Sequence, residues 1–286
     1  PNPYTLYSAM LTNLSNSSYH SAQLEVRKRT RNGMQVQANY VFSKALSDAS
    51  LTRGLEALLD NNNPRVERAP TPYDQTHAFK LNHYIPLPFG VGHRLHSGNS
   101  ILNRALGGWG ISGFLTVQNG PPVSILSARG TLNRGARSGS NTVDTTQNLE
   151  QLKAASGLFM TGNGPYFINP ANIGADGRGV APDGSAPFAG QIFFNPQAGS
   201  IGSLQRRNLN GPWFKSYNMA LLKDTKLTER QSIQLRADFY NLFNNPNFYT
   251  GDLNVNSSNF GKFTQQFYSG EGVGPRVIQF GLFYRF

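Results

Sequence analysis

Few side chains in this sequence are spaced for chemistry. The five histidines, His20, His77, His83, His93 and His96, include one close pair, His93-x-x-His96. A turn with this spacing could offer two ligands to a metal, but no third lies nearby, and no metal site is expected. Cysteine is absent, so neither a thiolate site nor a disulfide framework is possible. No Gly-rich phosphate loop or nucleophile elbow occurs, and the stretch from Gly130 to Gly139 is merely basic. Arg236 and Asp238 share one face of a strand pattern and could form an acid/base pair. A polar strand face carries such pairs without catalysis, so the sequence predicts no enzyme and no cofactor.

Charge gives little more. The net charge of +11 comes from 26 Lys+Arg against 15 Asp+Glu. The one dense run, Arg27-Lys28-Arg29-Thr30-Arg31, sits at a turn, and the remaining charge is scattered over polar segments. That distribution describes solvated loops rather than a nucleic-acid groove, and no nucleic-acid partner is expected.

The elements that would position these residues are strands. Apolar content is 38%, mean hydropathy is −0.41, and no stretch approaches the roughly 18 apolar residues of a membrane helix. Barrel strands hide from that scale because apolar side chains occupy only alternate positions. The chain has 19 Phe and 12 Tyr, with Gly, Asn and Ser throughout, a strand-and-turn composition. Period-two alternation is cleanest at the end, where Ile278, Phe280, Leu282, Tyr284 and Phe286 oppose Gln279, Gly281, Phe283 and Arg285. It recurs over 231–243, with Ile233, Leu235, Ala237, Phe239 and Phe243 on one face, and over 34–42 from Met34 to Phe42. Weaker patterns cover 20–29, 77–86, 109–118 and 215–227; in the last, Lys223 shares the apolar face and must snorkel to an interface.

About seven strands result, each near ten residues, longer than the roughly five or six of soluble strands. Their apolar faces are nearly free of charge. Turns at Thr30-Arg31-Asn32-Gly33 and Leu227-Thr228-Glu229-Arg230 are tight, 87–108 is intermediate, and 48–72, 126–212 and 245–274 are long. Sorting short turns to one end and long loops to the other is what a membrane barrel does. Within 126–212, Phe167-Ile168-Asn169-Pro170-Ala171 and Phe194-Asn195-Pro196-Gln197-Ala198 repeat an aromatic-then-Asn-Pro turn chemistry.

Further motifs carry a family resemblance. They include Gly202-Ser203-Leu204-Gln205-Arg206-Arg207-Asn208-Leu209-Asn210-Gly211-Pro212, Leu222-Lys223-Asp224 and Leu235-Arg236-Ala237-Asp238-Phe239-Tyr240-Asn241-Leu242-Phe243-Asn244. Pro246-Asn247-Phe248, Phe260-Gly261-Lys262, Asp74-Gln75-Thr76-His77 and Gly108-Trp109-Gly110 continue the series. In this order the chain resembles the C-terminal barrel of Oar-like TonB-dependent receptors of the bacterial outer membrane, over most of 17–286. The resemblance implies an all-β fold, an antiparallel transmembrane β-barrel segment. It also implies that Gln279, Gly281, Tyr284 and Phe286 form the polar-x-Gly-x-x-aromatic-x-aromatic signal read by the barrel-assembly machinery.

Such receptors close about 22 strands around a plug. Residues 1–286 are therefore expected to be the C-terminal part of a longer barrel, its plug and N-terminal regulatory domain lying elsewhere, and its strands forming a curved open sheet. An odd strand number places the two ends of the chain on opposite sides of the membrane; residues 3–12 would supply an eighth strand if the barrel were small and closed. Lys80, Gln118, Arg236 and Asp238 are candidates to face the lumen. Implied partners are outer-membrane lipid and lipopolysaccharide, the rest of the barrel and plug, and TonB through that plug. The expected function is uptake of an extracellular ligand; the rival is a secreted or surface carbohydrate-binding or adhesive β-protein.

Overall fold

The computed structural model describes residues 13, 15–49, 59–60, 63–90, 95–96, 98–130, 141–266 and 274–286. Seven long strands make one antiparallel sheet in which neighbours in sequence are neighbours in space. They are β1 (Ser17–Arg29), β2 (Gln35–Ser47), β3 (His77–Pro86), β4 (Trp109–Gln118), β5 (Phe214–Lys226), β6 (Ser232–Tyr240) and β7 (Val277–Arg285). A short piece, Ala69–Pro70, extends the sheet beside the end of β2. Among the described residues β1 and β7 each pair on one side only, so the sheet is open. Residues 3–12 lie outside the described part.

Turn chemistry fixes the register. Between β1 and β2, Thr30 N donates to Met34 O at 3.0 Å and Gly33 N to Thr30 O at 3.1 Å. Gly33 has φ +81°, a conformation that costs a side-chain-bearing residue free energy. Between β5 and β6, Leu227 N reaches Gln231 O at 2.9 Å, and the Thr228 hydroxyl accepts from Gln231 N at 3.1 Å. Met34 and Leu227 therefore belong to turns rather than strands. The 231–243 pattern also ends early, at Tyr240, because Asn241 turns the chain with φ +49°. Phe243 lies beyond the ladder. The basic run sits differently too: Arg27, Lys28 and Arg29 finish β1, and only Thr30 and Arg31 enter the turn.

Both tight turns, and the 87–108 connection with its helix α1 (Ser100–Leu106), lie at one end of the sheet. The connections after β2, β4 and β6 lie at the other. The long connections have structure of their own. Residues 119–130, 141–213 and 241–266 fold together into a cap with the principal hydrophobic core of the described chain, built on Ile125, Val143, Leu152, Phe167, Phe193, Val255 and Phe260. Phe193 and Phe260 meet edge to face at 5.7 Å, and Phe167 meets Phe263 the same way at 6.2 Å.

Backbone bonds stitch the two connections into this one body. Leu126 N donates to Leu253 O at 2.9 Å, Val255 N to Leu126 O at 2.8 Å, and Gly179 N to Val255 O at 2.8 Å. Helix α2 (Leu149–Ala154) buries Leu152 against the core and begins in a capping box, with both Asn148–Gln151 side-chain bonds at 2.9 Å. The two Asn-Pro repeats serve different ends. Asn169 opens a 3-10 turn, whereas Asn195 accepts a bond from Ser127 at 2.7 Å. The connection after β2 joins this body through a buried ion pair, Glu67 to Arg206 at 2.7 Å.

The cap has its own core, so it should lose structure separately from the sheet. Phe260→Ala removes a fully buried ring and should destabilise the cap by about 3–5 kcal/mol. Hydrogen exchange should show faster exchange over 141–263 with little change in β4 to β6. Uniform loss of protection in both regions would show that cap and sheet are one cooperative unit.

Candidate functional site

Residues directly opposite in an antiparallel ladder share a face. Six pairings therefore carry one division of faces from β1 to β7. Leu235 pairs with Leu282 on one side and Lys223 on the other, and Leu221 pairs with Ile111, which pairs with Ile85. Leu81 continues to Ala38, which pairs with Val26. The resulting face holds Leu24, Tyr40, Phe42, Phe79, Leu115, Val117, Met219, Ile233, Phe239, Ile278 and Phe280. The opposite face holds Glu25, Arg27, Gln37, Asn39, Asn82, Thr116, Asn218, Asp224, Gln234 and Arg285. Lys80, Gln118, Arg236 and Asp238 all fall on this polar face.

The polar face is cross-linked side chain to side chain. Arg236 Nε donates to both Asp238 carboxylate oxygens, at 2.8 and 2.7 Å. Gln234 Nε2 donates to Asp224 at 2.9 Å, Gln37 Nε2 to Glu25 at 3.2 Å, and Arg27 pairs with Glu25. These groups are solvated, so each contributes only about 0–1 kcal/mol. What they set is a fixed pattern of charge along a wall.

The apolar face is not charge-free, which corrects that expectation. His20, Lys28, Lys44, His77 and Lys215 lie toward its ends, and His83 and Lys223 lie within it. Lys223 does reach an end of the sheet, but its ammonium is bonded there rather than left free. Nζ donates to the carbonyls of Arg104, at 2.8 Å, and Gly107, at the C-terminus of α1, and lies 5.4 Å from the Trp109 ring centre. His83 Nε2 lies 2.9 Å from the Tyr217 hydroxyl, and the two rings stack. Gly113 makes room for that bond, since a Cβ there would stand 2.5 Å from His83 Nε2.

Aromatic rings gather at both ends of the apolar face. Tyr40 Oη lies 2.8 Å from His77 Nδ1, Phe42 is 5.3 Å from the same ring, and His77 stacks on Trp213 at 6.2 Å. At the turn end stand Trp109, Tyr284 and Phe286, the last two stacked at 5.7 Å. Of the expected assembly signal, Gln279 and Gly281 lie on the polar face and Tyr284 on the apolar one, whereas Phe286 follows the last paired residue and stacks on Tyr284. The Phe283 ring covers Gly281, 3.0 Å from where a Cβ would be.

Several positioning residues sit where the ladder meets the cap, and alternation gave no sign of them. The Asn247 side chain exchanges two bonds with the Lys215 backbone, at 2.9 and 3.1 Å, as a strand partner would. Buried Asn241 donates its backbone N–H to Asn218 Oδ1 and its side-chain amide to the carbonyls of Asn245 and Gly274. Buried Asp74 accepts from Ala45 N at 2.5 Å and from Lys44, while Asn119 accepts from His77 N at 2.8 Å. The sequence signal was an Asn or Asp at each strand end, which marks turn chemistry but not its partner. His93 lies outside the described residues, and among those described no three His, Asp or Glu cluster as metal ligands.

One open antiparallel sheet with a mainly apolar face, a charged opposite face and aromatic ends has the anatomy of an outer-membrane barrel wall. The family model for the outer membrane beta barrel domain matches residues 1–279, and the chain belongs to that family. Its place is the bacterial outer membrane. No curated protein and no solved structure matches the chain.

If the division of faces is right, one step along β6 changes the cost of a charge. Leu235→Arg should destabilise by about 2–4 kcal/mol where the position lies near mid-membrane, and Arg236→Gln by much less. Folding titrations into lipid vesicles measure both. Equal tolerance at the two positions would refute the assigned phase.

Proposed function

We propose that this outer-membrane barrel protein forms part of the wall of a TonB-dependent receptor that takes up an extracellular ligand. In this reading the apolar face meets lipid, and the polar face, with Lys80, Gln118, Arg236 and Asp238, lines the lumen. The tight turns face the periplasm and the cap faces outside. Further strands close the barrel, a plug gates it, and TonB acts through the plug. The terminal Gln279, Gly281, Tyr284 and Phe286 engage the assembly machinery.

One observation carries this reading. A polar wall cross-linked by Arg236–Asp238 and Gln234–Asp224 leads up to a cap with its own core. A cap with its own core beyond the end of a polar wall suits capture of a solute followed by its passage along that wall. An adhesin would use the cap alone.

The two functions separate in cells. A strain lacking the full-length gene should grow more slowly than the complemented strain on at least one limiting carbon, nitrogen or iron source. That advantage should vanish when TonB is removed. Growth that is unchanged on every source, together with lost attachment to a glycan-coated surface, would overturn uptake in favour of adhesion.

A further inference from the structure

The polar face has a cleft of its own at the loop end. Its volume is about 310 Å³, the lower end of the roughly 300–1,000 Å³ of small-molecule sites. Its floor is sheet: Tyr19 pairs with Ala45 and Asn39 with Lys80, all four on the polar side. Tyr73 and Gln75, in the connection before β3, complete the lining. Ala45 and Ala78 are small, which leaves room over the sheet.

The side chains around this space are uncommitted. Tyr19 is 60% exposed and Tyr73 71%, and neither ring touches another ring among the described residues. The side-chain amides of Asn39 and Gln75 and the exposed ammonium of Lys80 have no hydrogen bond or ion pair among those residues. The one carboxylate in the lining, Asp74, is buried and already accepts from Ala45 N, Thr76 and Lys44. Glu25, opposite Asn39, is likewise held, by Arg27 and Gln37. Lys80 is therefore the uncompensated charge of the cleft.

We infer that this cleft binds the carboxylate-bearing sugar at the end of an acidic saccharide. A lone ammonium suits one carboxylate, whereas phosphate is better met by a guanidinium fork. The exposed tyrosine rings offer flat apolar surface to the C–H face of a sugar, with a hydroxyl at the rim. Asn39 and Gln75 can each both donate and accept, which matches a ring of hydroxyls and not the bare edge of an aromatic acid. The small volume holds one end of a saccharide rather than a length of chain. The inference rests on the reading that the polar face lines the lumen of an uptake receptor, and it names the class of that receptor's ligand.

The test titrates the full-length protein in detergent with short oligosaccharides of galacturonate, glucuronate and mannuronate. Each is compared with its counterpart in which every carboxyl has been reduced to a hydroxymethyl group. At least one uronate should bind about tenfold more tightly than its reduced form, the effect of one charge-assisted contact. Lys80→Gln should erase that difference, Lys80→Arg should keep most of it, and Tyr73→Ala should weaken both forms. Residues 1–286 contain no cysteine, so Lys80→Cys and Phe79→Cys can be probed singly in whole cells with a water-soluble maleimide, against the parent protein. Lys80→Cys should react, with protection by the bound uronate, and Phe79→Cys should not. Reaction at Lys80→Cys alone, with no uronate preferred over its reduced form or a preference that survives Lys80→Gln, would overturn the cleft and leave the lumen in place. Reaction at Phe79→Cys but not at Lys80→Cys would overturn the lumen reading beneath it.

Discussion

The backbone ladder is the constraint on which the rest depends. In hydrocarbon no water can satisfy an N–H or C=O, so each must pair within the protein. Seven strands in continuous antiparallel register achieve this across the sheet. Register then fixes faces, because a slip of one residue would send Leu235 to the polar side and Arg236 to the apolar side. The side-chain division is thus a consequence of hydrogen-bond geometry, enforced by two tight turns and maintained strand by strand. The same constraint makes the open edges at β1 and β7 untenable in lipid unless further strands cover them.

Polar groups on the apolar side follow the same logic. Lys223 and His83 occupy positions where an unpaired donor would be costly, and the Lys223 ammonium and His83 Nε2 each have a partner supplied by another element, while buried His83 Nδ1 has none among the described residues. Lys223 gains the last carbonyls of α1, which also need a donor, so two otherwise unsatisfied ends cancel. His83 gains Tyr217 because Gly113 lies between them and carries no side chain. Here a glycine serves a contact between its neighbours rather than a turn.

At the loop end the ladder must give way to the cap, and short polar side chains make the transition. Asn247 copies a strand partner for Lys215, and Asn241 and Asp74 complete the backbone bonds that β6 and β2 leave open. Glu67 and Arg206 then tie the first long connection to the cap through a buried ion pair. Such a pair is weak support for stability but strict about geometry, since removing either partner strands a buried charge.

The sequence by itself determined the strands, their faces and the sorting of connections by length. Period-two alternation is local: Leu235, Arg236 and Asp238 reveal their sides from their neighbours alone, and Gly33 announces its turn. It could not determine where strands stop, since Met34, Leu227 and Phe243 keep the apolar rhythm while hydrogen bonds elsewhere end the ladder. Nor could it show that 119–130, 141–213 and 241–266 share a core. Phe167, Phe193 and Phe260 have no common period, and they meet only because the two connections emerge from adjacent strands of one sheet. Alternation is set by the pleat of a single strand, whereas cores and clefts are set by which strands become neighbours.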